Sequence, residues 1–311
     1  MSKLAFIFPG QGAQVVGMGK DLYDTYDLAK RRFAEADEAL GYPISKLCFE
    51  GPADQLQLTE HTQPAILTVE VIAAELLHEA GIQPGIAAGH SLGEYAALVL
   101  AGALTFQDAV LLVHRRGAYM QAAVPVGEGA MAAIIGLDDE SIVEICNEAS
   151  HTGAVQAVNF NCPGQTVIAG TVGGVEKAVD LLKEKGAKKA VILPVSAPFH
   201  STLMEPAAKK LASELDNVTL RDAAFPVVSN YTGALQQSAA EIKENLIKQA
   251  DHPVRWIDCV NTMRTFGAST YLECGPGKTL AGFNKRIDKT LVTMNVEDVS
   301  SLQKTLDTLK K

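Results

Sequence analysis

The segment GHSLG at residues 89–93 has the residue types of a nucleophilic turn. It fits the pattern G-x-S-x-G, follows a predicted strand over 86–89 and precedes a predicted helix of small residues that reaches Ala101. In this context the two glycines permit a turn too sharp for side chains, which exposes the serine hydroxyl and aims backbone amides at the same point. The pattern therefore predicts Ser91 as a nucleophile, and the alternative is a structural turn.

A serine nucleophile needs a base, and histidine serves most often. His200 lies between a predicted strand and a predicted helix, in the sequence APFHS over 197–201, where a histidine that caps the helix is the alternative. Among the other histidines, we expect His90 to form a hydrogen bond inside the turn. His61 and His252 stay open as alternative bases.

The loop PGQGAQ over 9–14 follows the first predicted strand, Leu4 to Phe8. It begins like the dinucleotide fingerprint G-x-G-x-x-G, but Val15 occupies the third glycine position, so the match fails. The loop is better suited to donate backbone N–H groups, and the alternative is an ordinary turn at the end of a strand.

Arg116 lies on a predicted helix and shares a face with the apolar residues Ala109, Leu112, Val113 and Met120. A guanidinium on an apolar face needs an anionic partner. That partner is either a protein carboxylate, in a structural salt bridge, or the carboxylate of a ligand. Sequence spacing does not decide between the two.

The order of the predicted elements indicates an α/β protein, because short apolar runs alternate with longer amphipathic ones. From residue 130 to 195 the order is strand, helix, strand, strand, helix, strand, which is the ferredoxin-like pattern. We therefore predict a large α/β catalytic domain over 1–126 plus 198–311, with a ferredoxin-like subdomain over 127–197.

Composition excludes several classes of protein. The chain has 311 residues and a formal net charge of −9, so it is a poor general binder of nucleic acid. Its five cysteines form no CxxC pair, which argues against a disulfide framework or a structural metal site and fits a reducing compartment. No apolar run is long enough to span a bilayer. We expect a soluble cytoplasmic protein that binds neither nucleic acid nor membrane.

Seven segments together carry a resemblance to a known family. They are FPGQGAQ at 8–14, TQPA at 62–65, GHSLGEY at 89–95, RRG at 115–117, NFNCPGQ at 159–165, PFHS at 198–201 and ECGPG at 273–277. In this order they resemble the malonyl-CoA:acyl carrier protein transacylases, stand-alone bacterial enzymes of fatty-acid synthesis. The resemblance covers essentially the whole chain. It implies a large core related to the α/β-hydrolases with a ferredoxin-like insert.

The resemblance also implies roles for individual residues. Ser91 would be the acylated nucleophile, His200 its base and Arg116 the cation that pairs with the malonyl carboxylate. The other implied roles are oxyanion-hole amides at Gln11 and Leu92, a main-chain carbonyl at Gln249 that orients the histidine, and substrate contacts from Gln63, Asn161 and Phe199. Phe199 would favour malonyl over methylmalonyl groups.

The implied reaction is ping-pong transfer through a malonyl-serine ester, with a Ser–His dyad. No cofactor would be bound permanently, since the CoA thioester and the phosphopantetheine arm of the carrier are substrates. The enzyme is expected to be a monomer. Two alternatives remain: a serine hydrolase that uses the same turn, and a noncatalytic module that binds the carrier.

The carrier partner is typically acidic, and this chain is acidic too, so docking needs a local basic surface. Candidates are Lys183, Lys185, Lys188 and Lys189, together with Lys285 and Arg286. The family places the carrier and the CoA phosphates near the pairs 188–189 and 285–286. The alternative is an ordinary solvated helix face.

Overall fold

The structure is a computed structural model that describes residues 3–195 and 197–310. The predicted domain ranges also include residues 1, 2, 196 and 311, which lie outside the described residues. The described strands form two sheets. They are β1 (Lys3–Phe8), β2 (Ile86–Gly89), β3 (Gly129–Ile135), β4 (Val155–Cys162), β5 (Gln165–Thr171), β6 (Lys189–Ile192), β7 (Val227–Val228), β8 (Leu235–Gln236), β9 (Ala268–Cys274) and β10 (Val292–Val296).

The helices lie around these sheets and bury apolar faces against the strands or against other helices. They are α1 (Lys20–Thr25), α2 (Asp27–Leu40), α3 (Ile44–Glu50), α4 (Ala53–Leu56), α5 (Thr59–Glu79), α6 (Gly93–Leu100), α7 (Phe106–Ala122), α8 (Asp139–Ala149), α9 (Val172–Glu184), α10 (Glu205–Leu215), α11 (Ala239–Asp251), α12 (Trp256–Thr265), α13 (Thr279–Ile287) and α14 (Val299–Leu309). A short 3₁₀ helix, Thr202–Met204, precedes α10.

The larger sheet has the strand order β10-β9-β1-β2-β7-β8. Its pairs are parallel except for β7 with β8. The central strand β1 is apolar and almost completely buried, as expected for a parallel strand covered on both faces. Phe8 pairs with Gly89, so β1 and β2 end side by side. Loops that leave the carboxyl ends of these strands therefore meet at one edge of the sheet.

The smaller sheet has the order β4-β5-β3-β6, and all its pairs are antiparallel. The predicted order of strands and helices over 130–195 is confirmed as β3, α8, β4, β5, α9 and β6. The final strand is shorter than predicted, since it ends at Ile192 rather than Val195. Pro194 has no amide hydrogen with which to extend the ladder. The protein is therefore a mixed α/β fold with a mainly parallel sheet and a separate antiparallel one.

The helix starts near the site differ in how they are formed. Thr105 caps α7, since its side chain accepts a hydrogen bond from the Asp108 amide. The helix predicted to begin near Ser201 starts as a 3₁₀ turn, and its α-helical part begins at Glu205. Helices α1 to α4 and strand β8 were not predicted, because most of them are too short to give a clear hydrophobic period.

The five cysteines are all buried and free. Within the described ranges, every helix falls short of the combined length and hydrophobicity that a membrane crossing requires.

Candidate active site

The turn after β2 is sharp because its two glycines lie against backbone. A Cβ atom at Gly89 would lie 1.8 Å from the carbonyl carbon of Gly93, and one at Gly93 would lie 2.3 Å from the carbonyl oxygen of Phe8. No other residue type fits either position. Between them Ser91 has a φ of 51°, a left-handed conformation that strains a non-glycine residue.

His200 faces this serine. Its Nε2 atom lies 2.7 Å from Ser91 Oγ, and its Nδ1 atom lies 2.8 Å from the backbone carbonyl oxygen of Gln249. Because a carbonyl only accepts, Nδ1 carries the proton and Nε2 accepts the hydrogen bond of the serine hydroxyl. His200 also has a positive φ, 62°. Among the residues described, Ser91 and His200 are the only non-glycine residues with this backbone conformation.

The surroundings of His200 keep it neutral. Burial, with a smaller contribution from the positive charge of Arg116, lowers the pKa of the imidazole to about 3. A neutral imidazole that accepts from a serine hydroxyl is the arrangement that proton abstraction requires.

Arg116 is buried beside the same serine. Its guanidinium donates from Nη2 to Ser91 Oγ at 3.1 Å and to Gln249 Oε1 at 2.9 Å, and from Nη1 to Gln63 Oε1 at 2.8 Å. Within residues 3–195 and 197–310, no carboxylate oxygen lies within 4.0 Å of this guanidinium, and Nε has no hydrogen-bond partner. Of the two partners considered from sequence, a direct salt bridge to a described protein carboxylate is therefore absent.

The amides of Gln11 and Leu92 belong to the two loops that follow β1 and β2. Neither amide donates a hydrogen bond to another residue in the described part of the chain. The loops are in close contact, since a Cβ atom at Gly10 would lie 2.7 Å from the carbonyl oxygen of His90. Both residues line the cavity that contains Ser91, so these amides are free to bind an oxygen that develops negative charge.

A cavity of about 520 Å³ opens onto the dyad. Ser91, Arg116 and the loop over 9–14 form one part of its lining, and residues of the antiparallel sheet and of α13 form another. The predicted substrate contacts Gln63, Asn161 and Phe199 are all in this lining. The volume is suitable for a small acyl group with part of a longer thioester.

The prediction for His90 was wrong. Its imidazole does not bond within the turn but reaches β4, where Nε2 lies 2.8 Å from Asn161 Oδ1. The ring also packs against Trp256 of α12 and Phe283 of α13. His61 and His252 do not line the cavity and contact the carbonyl oxygens of Gln55 and Lys248 instead.

Comparison with known proteins agrees with this geometry. Residues 5–302 match the family model described as the acyl transferase domain. The chain belongs to the acyl transferase family. It is 50% identical to the malonyl CoA-acyl carrier protein transacylase of Bacillus subtilis, over 100% of this chain and 98% of the relative. It is 47% identical to the Escherichia coli protein of the same name, over 99% of this chain and 100% of the relative.

Solved structures of this family have the same fold. An acyl-carrier-protein S-malonyltransferase from Burkholderia pseudomallei superposes with a TM-score of 0.96 at 51% identity, over 98% of this chain and 99% of that one. A malonyl-transacylase in complex with a type II PKS acyl-carrier protein superposes with a TM-score of 0.96 at 45% identity, over 99% of this chain and 100% of that one. The acyltransferase described here therefore has full-length structural relatives.

The basic residues predicted to dock a partner lie on exposed surface of the acyltransferase. Lys183 and Lys185 lie at the end of α9, Lys188 and Lys189 at the start of β6, and Lys285 and Arg286 on α13. Arg286 also has a structural contact, since its guanidinium donates to Gln165 Oε1 at 2.6 Å and to the carbonyl oxygen of Pro163 at 3.1 Å. It therefore ties α13 to the β4–β5 turn, and its docking role stays a prediction.

Sequence reasoning missed a buried polar group behind the serine. Glu94, Asn230 and Gln236 are fully or almost fully buried and contact one another. Only Glu94 left a signal in the sequence, because it follows the turn as a charged residue in the otherwise apolar helix α6. Its partners lie 136 and 142 positions further along the chain, so no local pattern could identify them.

Proposed function

We propose that this acyltransferase moves a malonyl group from malonyl-CoA to the phosphopantetheine thiol of an acyl carrier protein. The observation that carries the proposal is the buried guanidinium of Arg116, which lies 3.1 Å from Ser91 Oγ and has no carboxylate partner among the described residues. An acyl group on Ser91 that carries its own carboxylate would supply that partner. The names of the relatives in the two comparisons point to the same acyl group.

The first half-reaction acylates the serine. His200 Nε2 takes the proton from Ser91 Oγ as the oxygen attacks the thioester carbonyl carbon. The bond between this carbon and the sulfur then breaks, and the CoA sulfur leaves with the proton that His200 held. The products are a malonyl-serine ester and free CoA. The 2.7 Å separation of Oγ and Nε2 supports this role for the pair.

The second half-reaction reverses these roles. The carrier's phosphopantetheine thiol gives its proton to His200, and its sulfur attacks the ester carbonyl carbon. The ester bond breaks, Ser91 recovers its proton from His200, and malonyl leaves on the carrier. The Gln249 carbonyl keeps the proton of the imidazole on Nδ1 in both halves, so a dyad suffices without an acidic third member.

Both half-reactions pass through a tetrahedral oxyanion. The amides of Gln11 and Leu92 are the proposed donors to it, and their lack of other hydrogen bonds among the described residues supports this assignment. Because each amide follows a strand of the same sheet, the two donors are in place before the substrate arrives.

The acyl group is proposed to be selected by the side chains that surround Arg116 in the cavity. Gln63 and Gln249 hold the guanidinium, so a carboxylate meets an oriented fork of donors. Phe199 lines the cavity and is proposed to exclude the branch of a methylmalonyl group, and Asn161 is proposed to contact the substrate beside His90.

We propose that the carrier docks on the exposed basic residues Lys188, Lys189, Lys285 and Arg286. The large domain over 1–126 plus 198–311 is proposed to be α/β-hydrolase-like, and the subdomain over 127–197 to be ferredoxin-like. The β4-β5-β3-β6 order supports the second assignment. We further propose a cytoplasmic monomer that has no permanently bound cofactor and binds neither nucleic acid nor membrane.

Mass spectrometry after addition of malonyl-CoA tests the reaction. We expect a malonyl adduct on Ser91 that disappears when holo carrier is added, with malonyl-carrier as the product. Loss of the adduct to free malonate at the same rate without carrier would instead identify a hydrolase. A folded protein that forms no adduct would favour a noncatalytic carrier-binding module.

A further inference from the structure

On its amide side, the strained backbone of Ser91 is held by the buried side chain of Asn230. The side chain of Asn230 accepts from the Ser91 amide through Oδ1 at 2.6 Å and donates to the Gly89 carbonyl oxygen through Nδ2 at 2.7 Å. It therefore bridges two backbone groups two residues apart, on either side of His90. Such a bridge fixes the two peptide planes that lead into Ser91, and so it sets the direction in which the chain enters this residue.

Asn230 is itself fixed by Glu94. The carboxylate accepts from the Asn230 backbone amide at 3.0 Å and from Gln249 Nε2 at 2.7 Å, and its other oxygen accepts from Gln236 Nε2 at 2.6 Å. All of these groups are buried to at least 98%, so solvent does not compete for them. Hydrogen bonds from this number of donors stabilise a carboxylate that is buried away from water.

The carboxylate also determines how Gln249 is oriented. Because ionised Glu94 can only accept, the amide nitrogen of Gln249 must face it, and the amide oxygen then faces Arg116. The same nitrogen also donates to the Ser91 carbonyl oxygen at 2.9 Å. Asn230 and Gln249 therefore hold the backbone of Ser91 from its amide side and from its carbonyl side.

We propose that Asn230 and Glu94, here named the elbow clamp, are positioning residues that hold Ser91 in its left-handed conformation and so direct Oγ toward His200. The inference rests on the proposed acyl transfer. It explains how the serine nucleophile is kept in its strained backbone conformation. Neither side chain lines the cavity, so the clamp acts through the serine and not on the substrate. Residues in sparsely populated backbone conformations persist only where their surroundings over-determine them.

The primary test is Asn230→Ala. It removes both bonds to the turn, so Ser91 can relax away from His200, and a misplacement of about 1 Å can cost on the order of a hundredfold in rate. We expect kcat to fall roughly ten- to hundredfold with malonyl-CoA and with acetyl-CoA alike, while KM stays within about twofold, as when an interaction important only to the reacting state is lost.

Asn284→Ala is the matched control, because Asn284 is an equally buried asparagine that makes no contact with Ser91, His200 or Arg116. Both variants are compared at the same interval below their own melting temperatures. The clamp is supported if only Asn230→Ala lowers kcat. It is overturned if folded Asn230→Ala keeps the wild-type kcat, or if Asn284→Ala loses as much.

Glu94→Gln provides a second variant if Asn230→Ala does not fold. It keeps the size of the side chain but replaces one acceptor by a donor, so at least one of the three donors that face Glu94 loses its partner. We expect kcat to fall about tenfold with both acyl donors. An unchanged kcat, or a loss confined to malonyl-CoA, would contradict the clamp, since the latter would mean that Glu94 acts through Arg116 alone.

The Ser91 adduct separates this inference from the proposed function. If the wild-type protein forms no malonyl-serine, the proposed function fails. If the wild type is acylated and Asn230→Ala is acylated at the same rate in a rapid-mixing experiment, the clamp alone fails.

Discussion

Glu94 on α6 and Glu70 on α5 are both completely buried, yet their surroundings differ sharply. Glu94 accepts hydrogen bonds from Asn230, Gln236 and Gln249. Neither oxygen of Glu70 has a hydrogen-bond partner among the described residues. Burial raises the pKa of Glu94 only to about 6, because donors and Arg116 offset it, whereas burial and the charge of Glu273 raise the pKa of Glu70 well above its ordinary value.

Hydrogen-bond donors, rather than depth of burial, decide the charge of these two carboxyl groups. At neutral pH the Glu94 carboxyl is ionised and can organise the groups around the serine. The Glu70 carboxyl is held as the neutral acid, beside Gly275 and next to the carboxyl of Glu273. We propose that Glu94 serves the reaction, and we expect Glu70 to lower the stability of the fold as the pH rises.

The largest expected effect comes from removing Arg116, the cation that acts on Glu94, whereas among the described residues no cation is found to act on Glu70. Arg116→Ala should lower kcat/KM for malonyl transfer about ten- to hundredfold more than for acetyl transfer, since a charge-assisted contact contributes roughly 1.5–3 kcal/mol. Steady-state kinetics with both CoA esters measures this ratio. Arg115→Ala is the control, because its guanidinium is half exposed and pairs with Glu214. Equal losses for the two esters would refute the proposal that Arg116 binds the malonyl carboxylate.

The next effect is the pH dependence of kcat/KM. His200 has a pKa of about 3, so it stays neutral as the pH falls toward the pKa of Glu94. Glu94 gains a proton near pH 6, and the protonated carboxyl group can no longer accept hydrogen bonds from every one of its donors. The ionisable side chains that act on Glu94 are Arg116 from α7, Cys259 from α12 and Tyr95 from its own helix. We expect activity to fall below this pH toward a plateau about tenfold lower, the level expected of Glu94→Gln.

Glu94→Gln has no carboxyl group to titrate, so its lower activity should be flat between about pH 5 and 7. Thermal melting at each pH separates loss of activity from unfolding. If the loss of activity at low pH persists unchanged in this variant, another group is responsible for the titration. The proposed functional role of Glu94, in contrast to Glu70, would then be contradicted.

A smaller effect is expected from Glu70, the buried carboxyl group that stays neutral. The folded protein keeps the Glu70 proton at pH values where the unfolded chain loses it near 4.5, so the free energy of unfolding decreases as the pH rises above that value. Glu70→Gln should remove much of this decrease and raise the free energy of unfolding at pH 8 by about 1–2 kcal/mol, with little change at pH 5.

Urea unfolding of this variant at the two pH values gives the measurement. Glu79→Gln, at the exposed end of the same helix, is the control and should leave the pH dependence unaltered. If Glu70→Gln and the wild type lose stability in parallel between pH 5 and pH 8, then Glu70 is not the group that takes up the proton.

The smallest effect concerns charges that are not buried at all. Lys189→Glu should raise KM for the carrier roughly two- to fivefold at low salt, since an exposed charge contact contributes about 0.2–1 kcal/mol. The increase should shrink at high salt. Lys304→Glu on α14 makes the same change in net charge on another exposed surface. Equal effects of the two variants would argue against docking beside β6.

Much of the site could be predicted because its signals are local. The glycine spacing around Ser91 follows from contacts within the turn and with the end of β1, and His200 follows a strand within a short motif. The capping of α7 by Thr105 is also local. The rest could not be predicted. Asn230 meets Ser91 across 139 positions, and only the packing of β7 against β2 brings it there.

The error for His90 has the same cause. Its partner Asn161 lies 71 positions away on the other sheet, so no pattern near the turn could indicate it. The buried acid Glu70 was also missed, because a single glutamate within an apolar helix gives no hint of whether donors face it.

The side-by-side pairing of Phe8 with Gly89 has an evolutionary consequence. Each of the loops that carry Gln11 and Leu92 starts at the same height above the sheet, so inserting or deleting one residue in either would turn its amide away from the other. We therefore expect the lengths of these two loops to be constrained together. The turn over 125–128 before β3 does not have to match the length of a second loop in this way. We therefore expect differences in length among relatives at this turn and not at the two strand exits.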